Sequence, residues 1–199
     1  MFLAAKRLTS SDLSAFKEHH GKSNKTNQKG INLNKDIFEK IFYPNAMSFV
    51  YGDAVNFPVT ISTSGPNAAP FHKKTKKVTK GGTYKNWRLD GTYLTVPDED
   101  PERYAHIQSG DIVLLKFSGA GHPEHIDIVF LSASAEPDKT LHSKIYDDIP
   151  PPPNTKSMIA LSPDTLEAYL VEASIDPHHP ARALLLTGED IEDISQAAA

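Results

Sequence analysis

The sequence predicts a mainly β domain of the α+β class, in which an antiparallel sheet or barrel is flanked by a few short helices. Short extended runs outnumber helical periodicities, and most of these runs follow one another through turns marked by Gly, Asp or Pro. The chain of 199 residues is 39% hydrophobic, which is enough for one good core. We therefore expect one domain over residues 1 to 188, followed by an acidic, flexible tail at 189 to 199.

A long polar segment separates the first two extended elements. Residues 2 to 9 have the pattern of a short strand, the apolar signal is absent from residue 10 to residue 30, and residues 30 to 33 resume an extended pattern. A connection of about twenty residues is long for a compact domain, and such loops are usually functional or disordered. The basic charge of this segment favours a functional loop.

Two helices have recognisable starts. The first is predicted to begin after the favourable N-cap residue Asn34 and to end at Pro44. Its apolar positions form one stripe, made by Ile37, Phe38, Ile41 and Phe42. A helix with a single apolar stripe docks on a sheet. The second helix is predicted after Ser162, with Pro163 in its first turn.

The middle of the chain is predicted to contain a second basic loop on a hairpin-like frame. Residues 57 to 61 alternate like a strand, and residues 62 to 82 are polar and basic. Residues 84 to 89 alternate again and turn at Asp90-Gly91 into a strand at 92 to 96.

The most strongly apolar strand is predicted at residues 112 to 117. A turn at 118 to 124 leads to its matching strand at 126 to 133. We expect these two strands to pair antiparallel, since a short turn joins them.

Charge divides this chain into two halves. Residues 1 to 90 contain 15 Lys and Arg against 6 Asp and Glu, whereas residues 91 to 199 contain 6 against 19, so the net charge of −4 conceals a strongly cationic half. The lysines gather at residues 22 to 40 and 73 to 85, among Asn, Gln, Thr and Ser. Lysine-rich loops are often only solvated surface, but two such loops favour a nucleic-acid surface. The acidic half is then expected to face away from the duplex, because carboxylates repel phosphates.

Several classes of site are excluded or unsupported. The chain has no cysteine, which excludes disulfides, thiolate zinc sites and Cys nucleophiles. Lys6 and Arg7 interrupt the apolar start, and no apolar stretch approaches the roughly 18 residues of a membrane span, so we expect a soluble, cytoplasmic protein. His122, Glu124 and His125 are interpreted as a solvated turn. No lysine follows an acidic residue by two positions, as common metal-dependent nucleases require. We predict no catalytic residue, metal or cofactor.

The order of several segments resembles a known family. The first part of the chain resembles the opening of the EcoRII-type effector domain of restriction endonucleases. The segments that carry this likeness are, in order, Lys6-Arg7-Leu8-Thr9, a polar loop, Asn27-Gln28-Lys29-Gly30-Ile31-Asn32-Leu33 and Asp36-Ile37-Phe38-Glu39-Lys40-Ile41-Phe42-Tyr43-Pro44. The BfiI and NgoAVII enzymes contain similar modules, and all belong to the B3-like DNA-binding pseudobarrels. The likeness continues through Tyr84-Lys85-Asn86-Trp87-Arg88 and the strand pair at 111 to 117 and 126 to 132, so it covers roughly residues 2 to 135.

The resemblance implies a seven-stranded, antiparallel pseudobarrel with two or three short flanking helices. Two arms of such a domain grip the DNA major groove. They correspond here to residues 10 to 29, the N-arm, and to about 73 to 88, the C-arm. This chain departs from the family in a longer, more lysine-rich N-arm and in a C-arm that has fewer arginines and contains Gly81-Gly82. The target sequence therefore cannot be carried over.

Residue chemistry divides the predicted DNA contacts into three groups. Phosphate contacts are predicted for Lys22, Lys25, Lys73, Lys74, Lys76 and Lys77. Base contacts are predicted for Asn24, Asn27, Gln28, Lys29, Lys80, Thr83, Lys85, Asn86 and Arg88. The rest of the predicted interface is Arg7, Ser10, Ser11, Ser23, Thr79, Gly81, Gly82 and Tyr84. Trp87 is interpreted as a core anchor at the base of the C-arm rather than as a base-stacking residue.

These observations favour a sequence-specific reader of double-stranded DNA. It would be the recognition domain of a restriction endonuclease and would not be catalytic by itself, because a nuclease domain or subunit elsewhere would supply cleavage. One alternative is a metal-dependent nuclease or hydrolase that uses the scattered His, Asp and Glu residues. Another is a pseudobarrel that reads RNA or a modified base. The lysine-rich arms alone do not separate the first reading from the last.

Overall fold

The structure is a computed structural model that describes residues 2–19, 30–39, 56–63, 71–80, 83–94, 96, 101–119, 123–150 and 157–186. The described residues form eight strands: β1 Phe2–Arg7, β2 Ile31–Leu33, β3 Asn56–Thr63, β4 Phe71–Lys80, β5 Thr83–Gly91, β6 Ile112–Ser118, β7 His125–Leu131 and β8 Met158–Leu161. The helical elements are a 3-10 turn at Asp12–Ala15 and the helices α1 Lys35–Ile37, α2 Asp138–Asp148, α3 Pro163–Glu172 and α4 Pro180–Ala183.

All eight strands belong to one sheet, with the order β2-β5-β4-β3-β7-β6-β1-β8. Every neighbouring pair is antiparallel except β3 and β7, which run parallel. Ile31 on β2 and Met158 on β8 belong to the same buried apolar cluster although their strands are at opposite ends of this order. The sheet therefore wraps around its core as a nearly closed barrel. This confirms the predicted fold class, with eight strands instead of seven.

In the described part of the chain, a second apolar layer lies over part of the barrel. Val113, Leu115 and Phe117 of β6 face the barrel core, whereas Ile112 and Leu114 join a cluster with the buried side chains of α2, α3 and α4. β6 is therefore buried on both faces, and this explains its apolar run from Ile112 to Leu115. The helices cover β1, β6 and β7.

Most of the predicted elements are confirmed. β1, β2, β3 and β5 lie where the extended patterns placed them, and β6 and β7 pair antiparallel. Asn34 caps α1 by accepting a hydrogen bond from the Ile37 main-chain N at 3.1 Å, and Ser162 caps α3 by accepting one from the Thr165 N at 3.0 Å. Residues 40 to 44 of the predicted first helix lie outside the described residues, as does the predicted tail.

Two loop and strand predictions were wrong. The segment 62 to 82 was predicted as a loop, but it completes β3 and contains the whole of β4, whose inward positions Lys73 and Thr75 are polar and hide the strand periodicity. The described residues of the strand predicted at 92 to 96, which are 92 to 94 and 96, do not form a strand. Leu94 instead makes a single bridge to Phe16, with its main-chain N donating to the Ala15 O at 2.8 Å.

Arg7 was predicted to contact DNA, and the structure corrects this. Its guanidinium lies 3.4 Å from the centre of the Tyr146 ring, and its Nη2 donates to the main-chain oxygens of Tyr146 and Ile149 at 3.0 Å each. Those carbonyls belong to the last turn and the C-cap of α2, where a cation is favourable. Arg7 is buried and joins β1 to the helical layer.

A buried ion pair lies just beyond β1. The Lys6 Nζ is 2.9 Å from the Asp12 Oδ2, and both side chains are almost completely buried. The Asp12 carboxylate also accepts hydrogen bonds from the Thr9 N at 3.0 Å, the Thr9 Oγ1 at 2.7 Å and the Asn32 N at 2.8 Å. One carboxylate therefore joins β1, the turn that follows it and β2.

Asp12→Asn should lower the free energy of unfolding by about 3–5 kcal/mol, because it leaves the Lys6 ammonium buried without its counter-charge. Urea denaturation of the variant and the wild-type chain measures this loss. The double variant Lys6→Met/Asp12→Asn should recover part of it, since no buried charge then remains. Strictly additive losses in the double variant would show that the two side chains are not energetically coupled.

Candidate nucleic-acid interface

The predicted C-arm is an antiparallel hairpin made by β4 and β5. Across residues 71 to 91 it carries seven Lys and Arg residues and one acidic residue, Asp90. The register sets Lys74 opposite Asp90 and Lys76 opposite Arg88, and it shifts between Val78 and Thr79. For eight of the predicted DNA contacts within these two strands, the structure describes the backbone: Lys76, Lys77, Thr79, Lys80, Thr83, Tyr84, Lys85 and Asn86. Gly81 and Gly82 lie outside the described residues.

Strand alternation separates a core face from an outer face on this side of the barrel. Residues that point inward are buried, namely Val59 and Ile61 on β3, Lys73 and Thr75 on β4, and Trp87 and Leu89 on β5. The alternate residues are exposed or half-buried, namely Pro58, Thr60, His72, Lys74, Arg88, Asp90 and Asn32. Since α2, α3 and α4 pack over β1, β6 and β7, the helical layer lies on the other part of the sheet.

Trp87 anchors the hairpin in the core, in agreement with its interpretation from sequence. It is completely buried, and its indole Nε1 donates to the Glu39 Oε1 at 3.0 Å. The ring centre lies 5.2 Å from that of Phe38 and 6.1 Å from that of Phe57. These contacts fix β5 against β3 and against the segment that follows β2.

Lys73 was predicted to contact phosphate, and its position contradicts this. The side chain is 4% exposed, and its Nζ donates to the main-chain O of Thr92 at 2.6 Å. Burial lowers the pKa of Lys73 from 10.5 to about 8, although the nearby Asp90 carboxylate partly opposes the shift. Lys74, the next residue, points to the other face and is exposed.

The described ends of the predicted N-arm are both anchored. Ser10 is exposed in the turn after β1, and the Ser11 Oγ lies 3.0 Å from the Thr9 Oγ1. At the far end, Gly30 leads into β2. The central residues of this arm lie outside the described residues: Lys22, Ser23, Asn24, Lys25, Asn27, Gln28 and Lys29.

Asn32 is a polar residue of this surface that the sequence did not single out. It pairs in register with Arg88, and its Oδ1 accepts from the Arg88 Nε at 3.4 Å. Its Nδ2 donates to the Asp12 Oδ1 at 3.4 Å. Its position in a predicted strand next to the basic loop was the signal in the sequence that could have identified it. Charge did not identify it, because Asn is uncharged.

Gly30 permits β2 and β5 to approach each other closely beneath the Arg88 side chain. A Cβ at this position would lie 2.5 Å from the main-chain O of Leu89 and 2.8 Å from the Arg88 Cγ. Both distances are too short for a side chain, so β2 and β5 can approach this closely only with glycine here.

Exposed carboxylates gather on the helical layer. They belong to Glu136, Asp147, Asp148, Asp164, Glu167 and Glu172, with Lys139 and Lys144 among them. α2 and α3 cover β1, β6 and β7, whereas β4 and β5 lie on the far side of β3 in the sheet order. In the described part of the chain, the sequence division of charge is therefore also a division in space.

The described residues contain no group of three or more His, Asp or Glu side chains arranged to hold a metal ion. His179 lines a cavity of about 340 Å³ together with Asp138. Both ring nitrogens are engaged, because Nδ1 accepts from the Ala181 N at 3.2 Å and Nε2 lies 2.8 Å from the Asp138 Oδ1. Neither nitrogen is available as a general base in this arrangement. In the same ranges, no helix has the length and apolar character needed to cross a membrane.

This chain is similar to known proteins in its fold. No family model matches the chain, and no curated protein matches it. A solved structure of an Arabidopsis FUS3–DNA complex is similar to this fold, with a TM-score of 0.39 and 13% sequence identity. The similarity covers 64% of this chain and 96% of that one.

The stability of the wild-type chain relative to Lys73→Met should rise with pH between about 8 and 10.5. Below this window Lys73 is charged in the folded and the unfolded chain, and its burial costs stability. Within it, the unfolded chain retains a proton that the folded chain has released, so raising the pH favours folding. The full change is about 3 kcal/mol.

Urea denaturation at pH 7, 9 and 10.5 measures this difference. Lys74→Met is the matched control, since it removes an exposed lysine next in sequence. A difference between wild type and Lys73→Met that stays constant over this range would contradict the assigned burial of the ammonium.

Proposed function

We propose that this chain binds double-stranded DNA through the β4–β5 hairpin and the segment between β1 and β2. We further propose that it is the sequence-specific recognition domain of a restriction endonuclease whose catalytic domain or subunit lies elsewhere. The observation that carries DNA binding is the hairpin itself, which has six basic residues besides the buried Lys73, against one acidic residue, on a frame anchored by buried Trp87.

The shape and the charge of the hairpin both suit a duplex. The major groove of B-DNA admits a two-stranded β-ribbon, and each base pair presents a distinct pattern of donors and acceptors there. The exposed Lys74 supplies a cation for phosphates, and half-buried Arg88 supplies a planar donor that suits guanine. Lys76 lies opposite Arg88 in the register, which adds charge to the same stretch of the ribbon.

The acidic helical layer supports one orientation on DNA. Carboxylates near the phosphate backbone would oppose binding, and the exposed carboxylates of α2 and α3 lie over strands that are separate from the hairpin. Binding through β4 and β5 keeps these groups away from the duplex. The helical layer then remains accessible to a nuclease domain or subunit.

The restriction role is supported by the sequence resemblance over roughly residues 2 to 135. It fits a chain that presents the exposed Lys74 and the half-buried Arg88 on one surface and whose half-buried His179 has both ring nitrogens engaged. In this role the domain supplies site selection, and catalysis belongs to its partner.

Selection from a randomised duplex library at near-physiological salt, with competitor DNA, tests the proposal. One short consensus is the expected result. Binding that fades smoothly with salt and yields no consensus would contradict sequence-specific recognition. A preference for RNA or for a modified base would support the alternative reader, and cleavage by this chain alone with added divalent metal would contradict the non-catalytic role.

The neighbours Lys73 and Lys74 provide a sharper test of the hairpin surface. Lys74→Ala should weaken binding to all duplexes by a similar factor and reduce the slope of log affinity against log salt by about 1, as expected for one lost phosphate contact. Lys73→Met should leave the affinity and the slope unchanged, because its ammonium is buried. Salt titrations monitored by fluorescence anisotropy compare them. Equal effects of the two substitutions would show that the outer face of β4 is not the contact surface.

A further inference from the structure

We infer that Asn32 is a positioning residue that fixes the guanidinium of Arg88 and thereby sets base selectivity at the DNA surface. The inference rests on the proposed function and adds to it a residue that makes selectivity without contacting a base. It depends on a continuous series of contacts from the buried Lys6–Asp12 pair to the outer face of β5.

The orientation of the Asn32 side chain follows from the chemistry of its neighbours. A carboxylate can only accept hydrogen bonds, so the Asn32 Nδ2 must face the Asp12 Oδ1, which lies 3.4 Å away. The amide oxygen is then turned toward Arg88 and accepts from its Nε at 3.4 Å. The assignment of oxygen and nitrogen in this amide is therefore decided by Asp12.

Asn32 is itself held in place. Its main-chain N donates to the Asp12 Oδ1 at 2.8 Å, and β2 pairs with β5 at Ile31, Asn32 and Leu33. Asp12 is completely buried and paired with Lys6 at 2.9 Å. Rotation of the Asn32 amide would place its oxygen against a carboxylate, so the acceptor that faces Arg88 is fixed.

Arg88 is restrained a second time along its stem. The ideal Cβ position above Gly30 lies 2.8 Å from the Arg88 Cγ and 2.9 Å from its Cδ, so the stem lies directly against the glycine backbone. The Gly30 backbone limits the movement of the Arg88 stem, and the Asn32 Oδ1 limits the movement of the Arg88 Nε. A planar donor restrained in this way loses less freedom when it makes a bidentate contact with guanine.

A purely structural role makes a different prediction from a positioning role. A brace between β2 and β5 would change stability and would weaken binding to all duplexes together. A positioning residue changes the ratio of affinities for the preferred duplex and for one substituted at a single base pair, and it does so only while Arg88 is present. The ratio is therefore the quantity to measure.

A double-mutant cycle on this ratio tests the inference, using the duplex recovered by library selection. Arg88→Ala should reduce discrimination at one base position by about 5- to 150-fold, the range of one good bidentate contact. Asn32→Ala should reduce discrimination at the same position by about 3- to 10-fold, and by less than Arg88→Ala does, because the Arg88 contact itself remains. The double variant should lose no more than Arg88→Ala alone. Affinity for competitor DNA should change by less than about two-fold in Asn32→Ala, because no phosphate contact is removed.

Two further variants keep the test independent of stability. Asn32→Val suits a strand and keeps the main-chain bond to Asp12, but it has no acceptor for Arg88, so it should lose discrimination as Asn32→Ala does. Asn34→Ala is the control, since it removes another Asn side chain two residues after Asn32 and with it the N-cap of α1. It should lower stability and leave discrimination unchanged.

The outcomes separate this inference from the proposed function. A wild-type chain that recovers no consensus overturns sequence-specific recognition, and the positioning role falls with it. A wild-type chain that recovers a consensus, while folded Asn32→Ala and Asn32→Val retain full discrimination, overturns the positioning role alone. Equal losses from Asn32→Ala in the presence and absence of Arg88 would also overturn it.

Discussion

The buried pair of Lys6 and Asp12 is the interaction on which the arrangement of this surface depends. An ion pair in a core is stable only when its remaining polar groups are also satisfied. Here the Lys6 Nζ also donates to the Arg7 O and the Ser157 Oγ, each at 3.2 Å, and Asp12 accepts from Thr9 and Asn32. The pair thus joins β1, β2 and the start of β8. Because Asp12 and Asn32 lie near opposite ends of the polar segment, the same pair closes that segment at its base.

The two parts of the barrel differ because, among the described residues, a second layer lies over one part and not over the other. β1, β6 and β7 are covered by α2, α3 and α4, so they require apolar residues on both faces. The described side chains of β4 and β5 are buried on one face only, and the residues on the other face can be charged without any cost in burial. The helical layer, in turn, carries the exposed carboxylates. The uneven distribution of charge along the chain is therefore the consequence of a sheet that is covered on one part and open on the other.

How far the sequence predicts this fold depends on how local each signal is. β6, β7 and α3 were predicted because long apolar runs and a Ser-Pro cap are local features. β4 was missed because Lys73 and Thr75 occupy its inward positions, and α2 was missed because only Leu141, His142 and Ile145 of its eleven residues are buried. β8 has four residues, and it forms by pairing with β1 across the whole chain.

The candidate site shows the same limit. Charge located the hairpin, yet it could not separate the exposed Lys74 from the buried Lys73, or foresee that Arg7 would join the C-terminus of α2. Those assignments depend on which face a strand buries and on tertiary partners. Asn32 illustrates the converse case, since an uncharged residue acquires importance only through Asp12 on one side and Arg88 on the other. A count of lysines therefore overstates the charge that a hairpin presents to a ligand, because one face of a one-layered sheet always belongs to the core. On β4 the alternation that buries Lys73 is also what turns Lys74 outward, so core packing and the ligand surface are set by one register.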